Sequence, residues 1–175
     1  VNFLLFDYKG EFSDIQNNHW LSLFDVDRSC ILDPLTQPLP FTPFKDFTGR
    51  SINEINLYST EMSSALCSID RVSASANMNN RLSEAIVEAY KSTNGAPISF
   101  ELMLKCYQSR MKDANNDDSI SSVLKQLVNA HIFESEDKVS LIDDSYIIKM
   151  DGYPKDGPIA KAIVSVSYTH LTLPT

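Results

Sequence analysis

The chain has 175 residues, enough for one ordinary domain and too few for two comfortable ones. Its 43% apolar and 22% charged content is that of a soluble globular protein rather than a disordered one. With 15 Lys and Arg against 23 Asp and Glu, a net charge of -8, the chain as a whole is not a surface for coating nucleic acid, although a local basic groove is compatible with it. No secretion signal or membrane span is legible. Cys30, Cys67 and Cys106 are odd in number and widely spaced, which suits reduced thiols in a cytoplasm better than disulfides or a zinc site.

The first element is FLLFDYKGEF, residues 3–12, an apolar run that stops abruptly at Asp7 and is followed by Lys9, Gly10 and Glu11. Such a run predicts a strand covered on both faces, as in parallel α/β sheets, and ligands bind such sheets just past the carboxyl ends of the strands. Asp7, Lys9 and Glu11 therefore stand where an α/β protein keeps its chemistry; a plain polar strand exit with a glycine turn is the alternative. Cys30–Asp33, closed by Pro34, predicts a second short strand. Pro34, Pro38, Pro40 and Pro43, interleaved with Leu39, Phe41, Phe44 and Phe47, forbid a helix and predict an extended segment lying on an apolar surface.

From Ser51 the pattern turns helical. SINE is a capping box, with Ile52, Ile55, Met62, Leu66 and Ile69 as an apolar stripe. A second helix is predicted over about 79–92, with Leu82, Ile86, Ala89 and Tyr90 inward and Asn94-Gly95 as its stop. Ser99 caps a third helix, FELMLKCYQSRMK, and a fourth begins at Ser119 with Ile120, Val123, Leu124, Leu127 and Val128 on one face. HIFES, KVSLI and SYIIKM predict a hairpin and one further strand, and Pro158 opens a last helix. The order of strands, four helices, strands and helix gives an α/β core interrupted by a helical subdomain. The predicted division is 1–50 for the first part of the core, 51–131 for the helical insertion and 132–165 for the return to the core.

Few constellations carry chemistry by pattern alone. His19 and His131 lack local partners and read as structural, no metal-ligand spacing occurs, and G-x-x-x-x-G-K-[ST] is absent. Two strand ends are chemically rich: Asp7–Glu11 and Lys149–Gly157. If their strands are parallel neighbours, the two loops share one edge, with the start of the final helix near Asp156–Ile159 offering amides to an anion; Asp156 as a simple helix cap is the alternative.

LLFDYKGEF resembles the strand-loop motif D-x-[KH]-G-E-[YF] of HerA-type and conjugation-type P-loop ATPases. PLPFTPF resembles the proline-rich stretch that follows in many members, and YIIKMDGYPKDGPIAKAIV the strand and helix before their second acidic nucleotide motif. Within that superfamily the likeness is greatest to the DptH-type ATPases of phosphorothioation-dependent DNA restriction. The resemblance spans residues 3–164. It implies a partial RecA-like core from an ATP-driven DNA translocase or helicase of a bacterial restriction or defence system, working as a homo-oligomeric ring with other restriction subunits, on DNA, without a membrane. Asp7 and Glu11 match the acidic residues near the ATP and magnesium site, and Lys9 and Gly10 match the turn between them, which implies catalytic roles for Asp7 and Glu11 and cofactor binding by Lys9 and Gly10 in the intact protein. The phosphate-binding loop and the second acidic motif are not in the chain, so the resemblance implies an internal fragment that neither binds ATP and Mg2+ tightly nor hydrolyses ATP by itself. The other reading is a non-enzymatic interaction module, a helical scaffold on a degenerate α/β core. Residues 166–175, VSYTHLTLPT, resemble the translation of a transposon-end adapter used in sequencing-library preparation, which implies a non-native tail, disordered or packed without specificity.

Overall fold

In the computed structural model, residues 2–14, 16, 21, 23, 26, 30–69, 74–111, 117–141 and 143–172 are described. His19 lies outside them, as do Lys112 of the predicted third helix, Ile142 of KVSLI and 173–175 of the tail. The chain is mixed α/β and divides into two units: 1–42 with 131–164, and 43–130 with 165–175.

The first unit contains a parallel sheet of β1 (Leu4–Asp7), β2 (Ile31–Leu32) and β3 (Tyr146–Lys149), in the order β1-β3-β2. The strand covered on both faces is β3, whose Tyr146, Ile147 and Ile148 are buried, whereas Leu4, Leu5 and Phe6 of β1 are only half-buried. The apolar run of β1 thus does not mark a central strand. Among the described strands β1 lies at the edge, and one side of its backbone ladder is occupied by β3. Leu21, Val26 and Ile147 form a buried cluster, with Phe3, Leu5, Phe12, Cys30 and Ile31 packed against it.

Among the described residues the predicted hairpin does not form. Phe133 makes a single parallel bridge to Leu39, and 138–141 adopt no strand. The proline-rich segment explains why. The Leu39 amide donates to the Ile132 carbonyl (2.6 Å) and the Glu134 amide to the Leu39 carbonyl (3.0 Å), but the amides that would extend this ladder, those of Gln37 and Phe41, turn back to the carbonyls of Asp33 (3.2 Å) and Leu39 (2.8 Å). The Pro40 carbonyl instead accepts from Lys138 (2.9 Å) and the Thr42 amide donates to Asp137 Oδ1 (2.8 Å). Leu39 and Phe41 are fully buried, with the Phe41 ring edge-on to Phe133 at 5.6 Å, as the extended-segment reading requires.

The second unit holds α1 (Ile52–Cys67), α2 (Ala76–Ser92), α3 (Phe100–Ser109) and α4 (Ser119–Ala130). Each begins on a polar side chain that occupies an orphan amide. Ser51 and Glu54 form the reciprocal capping box, Ser75 accepts from Met78 and Ser99 from Leu102, and Asp118 Oδ1 accepts from Ser121. Asn94 (φ 54°) and Gly95 (φ 87°) end α2, the Gly95 amide returning to the Tyr90 carbonyl at 2.9 Å. Most predicted apolar faces are buried. Ile52 is the departure, 44% exposed in the first turn of α1, where Tyr58 joins the stripe instead.

The unit begins at Pro43 rather than at 51 because Phe44 and Phe47 pack on its helices: Phe44 on Phe100 (4.9 Å), Phe47 on Tyr58 and Tyr90 (both 5.1 Å). Burial pushes both tyrosine hydroxyls well above their ordinary pKa, and each donates to a carbonyl of the same segment, Tyr58 to Pro43 and Tyr90 to Lys45. Asp118 Oδ2 also accepts from Tyr107 (2.6 Å) and from Arg81 (3.2 Å), whose guanidinium lies over the Tyr107 ring, so one cap joins α2, α3 and α4.

The last helix, α5 (Pro158–Thr172), runs on through the first seven residues of the adapter-like segment instead of ending before it. Val166 is fully buried, so the segment is not wholly disordered. The helix continues because Ile159, Ala160, Ala162, Ile163 and Val166 extend one apolar pattern across residue 165. Ser167 is also buried, and among the described residues its hydroxyl is the one buried side-chain polar atom without a hydrogen-bond partner.

Candidate functional site

The site is built by strand register. Asp7 pairs with Lys149 across β1 and β3, and the ladder continues beyond the strand, the Met150 amide donating to the Asp7 carbonyl at 2.8 Å. Leu32 pairs with Ile148 across β2 and β3, so Asp33, the next residue, stands level with Lys149. Parallel strands end on the same edge. The loops 8–13 and 150–157 therefore leave that edge together, the arrangement expected if β1 and β3 were parallel neighbours.

Asp7 is buried, 2% exposed. Its Oδ2 accepts from the amides of Phe12 (2.9 Å) and Ser13 (2.8 Å), and its Oδ1 makes a longer contact with the amide of Lys9 (3.3 Å). Burial works against its ionisation, but the bonds from Ser13, Phe12 and Lys9 outweigh that and hold the carboxyl below the ordinary carboxylate pKa. An ionised Asp7 thus pins the following loop into a tight arc. This is what a structural acid does; the oxygens are directed at protein amides.

Within the arc, Gly10 has φ 71°, and a Cβ there would sit 3.2 Å from Asp151 Oδ2 on the neighbouring loop. Glycine meets both demands, positive φ and close approach. Lys9 and Glu11 face solvent, 70% and 63% exposed, as a loose pair at 3.9 Å. From the other loop, Lys155 lies over the Tyr8 ring at 5.6 Å. Gly157 directly precedes Pro158, and its carbonyl accepts the amide of Lys161 (3.2 Å), so Gly157 takes the cap position of α5.

Asp33 and Lys149 complete the edge, a pair that the sequence reading did not single out. Lys149 Nζ donates to Asp33 Oδ2 at 3.1 Å, while Asp33 Oδ1 accepts from Leu35 at the turn after β2. The bond to Asp33 raises the ammonium pKa against a smaller desolvation effect, with Asp151 and Asp7 adding to it. The pairing spans 116 positions, so nothing local signals it; the only available hint was the polar residue ending each of three predicted strands. Around Lys149 the edge is acidic. The whole unit follows, with 13 Asp and Glu against 6 Lys and Arg, whereas the helical unit has 10 against 9.

Comparison of the chain with protein-family models, curated proteins and solved structures finds no match. Among the described residues no group of three or more His, Cys, Asp and Glu is placed to hold a metal ion, and no helix is long and apolar enough to cross a membrane. Cys106 is buried and Cys30 and Cys67 are half-buried, all three as free thiols; burial, with Asp118 nearby, pushes Cys67 up to about 11 and away from thiolate chemistry. His131 is exposed at the end of α4 in the left-handed conformation (φ 46°), a helix-terminating position.

Chemically, the edge offers exposed carboxylates (Glu11 and Asp151), one buried carboxylate committed to backbone amides (Asp7), exposed ammonium groups (Lys9 and Lys155) and one half-buried ammonium, Lys149, held by Asp33. It does not form a phosphate cradle by itself. Asp33, Asp151 and Asp7 surround the lysine that a phosphate would seek, and the Phe12 and Ser13 amides are taken by Asp7.

Proposed function

We propose that this chain is part of an ATP-driven DNA translocase or helicase of the HerA and conjugation type, in the manner of the DptH-type ATPases of DNA restriction, with a RecA-like core. The observation that supports the reading is the parallel pairing of β1 with β3, which brings the D-x-K-G-E loop and the 150–157 loop to one carboxyl edge. On this reading the phosphate-binding loop and its lysine come from sequence before Val1. Asp7 shapes the loop through its amide bonds, Gly10 permits the turn, and Glu11 is the exposed carboxylate of the same loop that would face the nucleotide site. The described residues do not fit ATP and Mg2+ alone. DNA would run along surfaces other than the acidic sheet unit, where like charge opposes it.

The test uses the product of the complete gene. Its sequence should contain G-x-x-x-x-G-K-[ST] about one helix before Val1. Glu11→Gln should lower DNA-dependent ATP turnover about tenfold or more, a loss above about 1.4 kcal/mol, without loss of folding. Absence of the motif removes the reading; a folded variant that hydrolyses ATP at the parental rate removes the role of Glu11 in it. The second reading, a non-enzymatic interaction module, is favoured by the full use of Asp7 by loop amides.

A further inference from the structure

We draw no further inference here: the strongest candidate, the open groove of about 500 Å³ between α1 and α2 lined by Asn56, Thr60, Ser83, Val87 and Lys91, carries nothing because its Arg110 is already held by Glu84 and Glu88 and nothing in the structure shows what covers it.

Discussion

Replacing Asp7 by alanine removes the acceptor of two short amide bonds, from Phe12 (2.9 Å) and Ser13 (2.8 Å), and of the longer one from Lys9. A hydrogen bond to a charged group contributes about 1.5–3 kcal/mol, and water will recover part of that at a loop that is not wholly enclosed. The expected cost is therefore about 2–4 kcal/mol, concentrated in 8–13. Amide hydrogen exchange reads it directly, because 2 kcal/mol corresponds to about a 30-fold loss of protection at Phe12 and Ser13. The pH dependence gives a second readout. Folding lowers the Asp7 pKa below its ordinary value of 3.8, so the stabilisation is present in full above that value and is lost as the pH falls through the lower, folded one. The difference between parental protein and Asp7→Ala should stay constant from about pH 7 to 5 and shrink below about pH 4. Asp7→Asn keeps one oxygen for Phe12 and Ser13 and should lose about half as much. Unchanged protection at both amides, with stability within about 0.5 kcal/mol of the parent, would show that the carboxylate does not hold the loop.

Three other outcomes follow from the packing. Gly95→Ala should destabilise the helical unit by about 2 kcal/mol or more, because φ is 87° and the new Cβ would lie 2.5 Å from the Phe47 carbonyl oxygen; a chemical-denaturation midpoint equal to the parent's would refute that close approach. Leu124→Asp places a charge at a fully buried position of α4 and should cost several kcal/mol; unchanged exchange across α3 and α4 would mean that this face is not buried. Truncation after Ser165 removes the fully buried Val166 and should cost about 1.5–3 kcal/mol in thermal or chemical unfolding, whereas a loss under about 0.5 kcal/mol would mark the segment as dispensable.

Several features were legible in the sequence because they are decided within a few residues. The Ser51–Glu54 box, the Ser99 cap, the Asn94-Gly95 stop and Pro158 at the first position of α5 depend on hydrogen bonds or φ values that local residues set. The 3.6-residue spacing of Leu82, Ile86, Ala89 and Tyr90 likewise requires one buried face whatever covers it. The same local reasoning placed Asp7, Lys9, Gly10 and Glu11 after a strand. It could not say where the Asp7 oxygens turn, since loop amides and a ligand are equally compatible with D-x-K-G-E.

Tertiary structure decided the rest, because a strand's partners are fixed by which distant segments close together. Tyr146–Lys149 lies between β1 and β2, which makes it the covered strand and levels Lys149 with Asp7 and Asp33. HIFES and KVSLI have the composition of strands, but the Glu134 and Lys138 amides go to the Leu39 and Pro40 carbonyls, and the Gln37 and Phe41 amides that would extend that pairing bond within their own segment. The proline-rich segment itself is divided by packing, Leu39 and Phe41 going to the sheet unit and Phe44 and Phe47 to the helices. By itself the sequence determined the helices, the Ser51 and Ser99 caps and the position of a polar loop after an apolar strand. Only the fold determined that two such loops share an edge, because that depends on contacts between residues more than a hundred positions apart.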